Sequence, residues 1–308
     1  MKQATGVDIS GGATSTASRL RDPAARVDHA SLLLFLDADP HADSRDGTAI
    51  ELALRHGAHL HGLACHTDVP AGPEFAVAPG GPNDPVRRDL EEARRQAGER
   101  TRRFARACAR RPPVSFETSL DDSGQPVHAI LRRAVLHDLV LLGQPDPLDP
   151  EAPARQAIVE EVVLRNPRPT LLLPHAGDFS HFGRTALVAW DGSAGAARAV
   201  SDALPLLATC RDVLVVQFED APPRFAASGP APLAAVERWL RRHGIEARSR
   251  LRSAEDDIGV ALLSHAIDVR ADLLVMGGWG HARWRERLLG GVTRTVLQNM
   301  APPVLISH

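Results

Sequence analysis

The residue types whose spacing could do chemistry are concentrated in the last third of the chain. Met276-Gly277-Gly278-Trp279-Gly280 closes an apolar run, nine residues follow from His281 to Leu289, and Gly290-Gly291-Val292-Thr293-Arg294-Thr295 opens an amphipathic stretch. Glycines in this arrangement let a backbone approach an anion closely, and a helix opening at Gly290-Gly291 would aim free N–H groups at it. A polyphosphate suits that geometry. Upstream, Leu187-Val188-Ala189-Trp190-Asp191-Gly192-Ser193 reads as the end of a first strand, where an Asp can accept hydrogen bonds from a ribose or an adenine amino group. In a doubly wound sheet the carboxyl ends of strands one and four flank the ligand crevice, so the two motifs are expected to converge.

Other chemistry is less well supported. His56, His59, His61 and His66 are dense, yet no further ligand spacing completes a zinc site, and packed or solvated roles are expected. Arg283, Arg285 and Arg287 suit either a phosphate clamp or a solvated loop face. Trp279 and Trp284 read as packing or interface residues. The string Ser10 to Ser15 resembles a pyrophosphatase loop but lacks the buried strand that must precede one. No Ser-His-Asp or Cys-His arrangement can be assembled, so no efficient catalytic site is expected. The only lysine is Lys2, which excludes a lysine-dependent phosphate loop and lysine Schiff-base chemistry in the folded body.

These residues need elements to position them. From Ser31 onward short apolar runs alternate with helical-period segments, the pattern of βαβ units and a parallel sheet, and the order restarts at Thr185. Register makes the repeat concrete: Asp138-Leu139-Val140-Leu141-Leu142-Gly143 lies 134 residues before Asp272-Leu273-Leu274-Val275-Met276-Gly277, and Pro169 precedes Pro303 by the same interval. Leu36-Asp37 matches Trp190-Asp191 at 154, which puts about twenty extra residues in the first copy, in the Pro/Gly-rich stretch from Val69 to Pro85. The reading is a mobile arm over 1–29, one domain over 30–175, a linker over 176–182 and a second domain over 183–308.

Length agrees, since 308 residues suffice for two domains of about 150. A net charge of -2 offers no reason to expect nucleic acid, and no window nears the roughly 18 apolar residues of a membrane span. Cys65, Cys108 and Cys210 have no paired spacing, so a reducing cytoplasm is expected, with neither export nor membrane insertion.

Gly277-x2-Gly280-x9-Gly290, followed by Val-Thr and a helix, together with the VAWDGS strand end, resembles the universal stress protein family over both repeats. The resemblance implies two doubly wound α/β domains of the adenine nucleotide alpha hydrolase-like type, each a five-stranded parallel sheet in order 3-2-1-4-5. It also implies fifth strands that face each other in an intramolecular pseudo-dimer, which could itself pair as a homodimer. Carried over by position, Ala189, Trp190, Asp191 and Phe218 would line the adenosine side of an ATP site, and Met276, Gly277, Gly280, Gly290, Gly291, Val292 and Thr293 the phosphate side, with magnesium accompanying the nucleotide. Gly291 stands where the family has Ser or Thr, so a hydroxyl is missing. In the first domain Asp146, Gln156, Ala157 and Val159 replace Gly280, Gly290, Gly291 and Thr293, while Asp37 keeps the first-strand position, so that site is expected to be dead for ATP. The implied function is a stress-response regulator that binds an adenine nucleotide in its C-terminal domain and acts on an unidentified protein partner. The alternatives are a nucleotide-independent scaffold or a slow ATP hydrolase. The first domain is expected to serve as a built-in cover for the second rather than as a sensor.

Overall fold

The computed structural model describes residues 28–39, 41–66, 85–218, 233–254, 257–278 and 290–308. The N-terminal arm with its Ser10–Ser15 string, most of the Val69–Pro85 stretch, and Trp279, Gly280, Arg283, Trp284, Arg285 and Arg287 lie outside them.

In the first half β1 (Ser31–Phe35), α1 (Ala42–His56), β2 (His59–Cys65), α2 (Pro85–Ala109), β3 (Ser115–Asp121), α3 (Pro126–Ala134), β4 (Leu139–Gly143), α4 (Ala152–Arg165) and β5 (Thr170–Leu173) follow one another. The second half repeats them as β6 (Thr185–Ala189), α5 (Ala194–Asp202), the short α6 (Leu204–Leu207), β7 (Asp212–Phe218), α7 (Leu233–Arg242), β8 (Ala247–Arg252), α8 (Ile258–Asp268), β9 (Leu273–Gly277), α9 (Gly291–Asn299) and β10 (Val304–Ser307). Each half pairs its strands in the order 3-2-1-4-5, and β5 and β10 join antiparallel, so the two halves form one ten-stranded sheet, parallel except at that seam.

Strand alternation divides the apolar side chains between two layers. Leu32, Leu34, Leu139, Leu141, Leu171 and Leu173 face one core, and Leu33, Val140, Leu142 and Leu172 the other. Leu305 joins the first core and Val304 and Ile306 the second, so both cores run across the seam. The outer strands are polar: β8 reads Ala-Arg-Ser-Arg-Leu-Arg and is mostly exposed, which blunts an edge otherwise open to pairing. The matched aspartates have a shared structural use. Asp138 accepts the backbone N–H of Ala30 and Ser31 at 2.8 and 3.0 Å, and Asp272 accepts those of Arg184 and Thr185 at 3.0 and 2.9 Å. Each carboxylate thus ties the start of a fourth strand to the start of a first.

Two helices depart from the sequence pattern. The segment Gly195 to Leu207 reads as one helix, yet it breaks at Ala203 between α5 and α6, where Pro205 has no N–H to continue the ladder. The apolar period of α4 begins at Ile158, but the helix itself starts at Ala152 with Pro153 in its first turn, a position that tolerates the missing donor.

Candidate functional site

The second-half candidate site lies where β6 and β9 end. After Ala189 the chain turns through Asp191, whose carboxylate accepts the Ser193 N–H at 2.9 Å, and Gly192 with φ of 75°, a left-handed conformation that favours glycine. Ser193 then caps α5, its hydroxyl oxygen accepting the Ala196 N–H at 3.0 Å. Residue 277 must be glycine because a Cβ there would lie 2.6 Å from Ala196 N and 2.7 Å from the carbonyl carbon of Gly195. The first turn of α5 therefore rests directly on the end of β9.

The first turn of α9 arrives from the other direction. Gly290 occupies its N-cap position with no side-chain cap, and the first internal bond runs from Arg294 N to Gly290 O at 3.0 Å. The preceding amides of the turn thus have no helical partner, the arrangement that suits an anion at a helix N-terminus. Thr293 is buried, and its hydroxyl donates to Gly278 O at 3.0 Å, anchoring α9 to the end of β9. That hydroxyl is committed to the fold, so what Thr293 offers a ligand is its backbone amide. A Cβ on Gly291 would meet none of the described residues within 4 Å.

The structure thus brings together Asp191, Gly277, Gly290, Gly291, Val292 and Thr293 around the ends of two adjoining strands and the N-termini of two helices. Phe218, at the end of the neighbouring strand, and Met276 are 6% and 4% exposed and pack their side chains in the core, so those side chains do not line a site as the sequence suggested. Ala189 and Trp190 diverge to opposite faces of the sheet, as alternation requires. The Trp190 ring lines an apolar pocket of about 310 Å³ between α5 and α7, beside Val200, Val236 and Trp239, and among the described residues its buried indole N–H has no hydrogen-bond partner. Gly280 lies outside the described residues. Ser193 and the first turn of α5 were missed by sequence reasoning, although an Asp-Gly-Ser turn ahead of an Ala-rich stretch is itself a helix-start signal.

In the first half the same positions are filled. Gly143 corresponds to Gly277, but the Arg45 guanidinium of α1 lies over it, where a Cβ on residue 143 would collide with it. Arg45 pairs with Asp37, the counterpart of Asp191, and stands 3.4 Å from Asp39. Because α4 starts at Ala152, the counterparts of Gly290 and Gly291, which are Gln156 and Ala157, sit inside a helix where their amides are bonded to the preceding turn. Asp146, where the second half has Gly280, accepts the Leu148 N–H at 2.9 Å and bonds His41. The Leu148 N–H first, and the His41 hydrogen bond after it, hold this carboxyl below the usual range, so a negative charge stays at the mouth of the site. These features leave no exposed amide cradle for a triphosphate.

His61 bonds Ser119 Oγ at 2.7 Å and packs near His137, while His59 bonds Ser115 Oγ at 2.8 Å. Burial raises the thiols of Cys65, Cys108 and Cys210, to about 11, 12 and 12, which keeps them protonated at neutral pH. Among the described residues no group of three or more His, Cys, Asp or Glu could hold a metal ion, and no helix is long and apolar enough to cross a membrane.

Residues 183–308 match the family model described as the universal stress protein family. No curated protein matches the chain. Among solved structures it is similar to a universal stress protein of Archaeoglobus fulgidus DSM 4304, with 17% identity and a TM-score of 0.66, over 90% of this chain and 97% of that one. It is also similar to a protein of Pseudomonas aeruginosa UCBPP-PA14 provisionally assigned to the same group, with 15% identity and a TM-score of 0.51, over 91% and 93% of the two chains. At such identities the likeness establishes the fold, and its coverage extends to both halves.

Proposed function

From a chain whose residues 183–308 are a universal stress protein domain, we propose that this protein is a stress-response regulator that binds one adenine nucleotide, ATP, in its second half. The observation that carries the reading is the meeting of two helix N-termini, those of α5 and α9, at the end of β9, where Gly277 keeps side-chain bulk away. Free amides and aligned helix dipoles there favour a polyanion. Asp191 at the end of β6 stands where a ribose or adenine donor would be accepted. Magnesium would be carried chiefly by the nucleotide's own phosphates, as is usual for an ion that keeps much of its water. Occupancy of the crevice would shift the population of the conformation that a protein partner recognises.

Mass spectrometry of denatured, freshly purified protein combined with equilibrium titration tests this. ATP should co-purify or bind at one site per chain, and Gly290→Asp should abolish it by placing a carboxylate against the α9 N-terminus. Two equivalent sites, or undiminished affinity in the variant, would overturn the assignment.

A further inference from the structure

The first half retains a crevice of about 530 Å³ at the ends of β1 and β2, walled by α2 and the first turns of α3 and α4. Much of its lining is apolar, with Phe35, Val127 and Ile158 among the contributors, yet four charged residues, Asp37, Arg100, Glu151 and Arg155, also reach it. Both cations are already engaged. Arg100 spends its terminal nitrogens on buried Asp46 at 2.8 and 2.6 Å and its Nε on the Asp37 carbonyl at 3.0 Å. Arg155 bonds Glu151 at 2.9 Å and stands 3.5 Å from Asp149 and 3.8 Å from Asp39. Arg45 is taken by Asp37 and Asp39. In this network five carboxylates (Asp37, Asp39, Asp46, Asp149 and Glu151) face three guanidiniums (Arg45, Arg100 and Arg155), so an incoming anion would meet net repulsion; each guanidinium has a carboxylate within 4 Å, although among the described residues Arg45 Nη1 and Arg155 Nη1 form no hydrogen bond.

We infer that this crevice is a second ligand site of a different class, which takes an uncharged, largely apolar small molecule carrying a hydrogen-bond donor for Asp37. Loss of the amide cradle then marks a change of ligand rather than the loss of a site. The inference does not depend on nucleotide binding in the second half.

Two fluorescent probes that share a skeleton and differ by one sulfonate provide the test: neutral N-phenyl-1-naphthylamine and anionic 8-anilinonaphthalene-1-sulfonate, titrated into the full chain. The neutral probe should bind at one saturable site per chain that excess ATP does not displace, and the sulfonate at least about tenfold more weakly. Ala97→Trp, which fills the crevice from α2, should abolish neutral-probe binding, whereas Ala235→Trp, which fills the α5–α7 pocket, should leave it intact. Glu151 is a mostly exposed rim carboxylate, so Glu151→Gln should keep the fold and narrow the gap between the probes. Equal affinity for the two probes, no change of that gap in Glu151→Gln, or loss of binding in Ala235→Trp instead of Ala97→Trp would each overturn the inference.

Discussion

Replacing Gly291 with serine supplies the hydroxyl missing from the α9 N-terminus, and the structure says what that should do. A Cβ at 291 meets none of the described residues within 4 Å and the backbone is not left-handed, so the described fold accepts the side chain without strain. Removing a glycine from the first turn of a helix should stabilise the fold by about 0.5 kcal/mol, through helix propensity and a less flexible unfolded chain. The larger effect is on ligand. A hydrogen bond to a charged acceptor contributes about 1.5–3 kcal/mol, and position 291 is exposed, so the lower end applies and ATP should bind roughly tenfold tighter. Gly291→Ala separates the two effects, because it shares the backbone gain and lacks the hydroxyl. Urea unfolding should place both variants above the parent, while calorimetric ATP titration should distinguish serine from alanine. If both variants fold and bind ATP with equal affinity, the phosphates do not lie over this amide and the reasoning about the α9 N-terminus is wrong.

Gly277→Ala drives a Cβ into the backbone of Gly195 and Ala196, so it should cost roughly 1–3 kcal/mol in urea unfolding and weaken ATP binding by moving α5; an unchanged midpoint would mean that α5 gives way freely. His29 and His61 are held neutral with values lowered from 6.5 to about 4, chiefly by burial, assisted by the charge of His56 for the first and of His137 for the second. The unfolded chain takes up protons that the fold refuses, so stability should be flat above pH 6.5 and fall between pH 6.5 and 4 by on the order of 3 kcal/mol per histidine at the lower limit. Melting temperatures that do not decline between pH 7 and pH 4.5 would contradict it. Residues 183–308 expressed alone should self-associate through the bared β10 edge, and residues 1–182 added in trans should restore a one-to-one complex. Sedimentation showing a monomeric second half that binds ATP like the full chain would refute the covering role of the first.

What the sequence determined by itself was the repeated order of elements and the placing of the strands. Leu139 to Leu142 and Leu273 to Met276 are buried on both faces, and apolar runs with no polar alternation have no other stable home than the centre of a helix-covered sheet. The glycine spacing likewise marked Gly277 and Gly290, since a missing side chain is visible as a letter. Only the tertiary structure decided what fills the space that glycine leaves. At Gly277 it is the backbone of α5, whereas at Gly143 it is the guanidinium of Arg45, nearly a hundred residues away in the chain. The Thr293 hydroxyl reads as a phosphate donor in sequence and is bonded to Gly278 in the fold. Trp190 adjoins the strand-end Asp191 yet turns to the opposite layer from Ala189. Periodicity is a local property of the chain and reports which face a residue occupies. Which atoms meet across that face depends on how layers distant in sequence pack, and it is there that the matched Gly277 and Gly143 came to lie against a helix backbone in one half and an ion-paired guanidinium in the other.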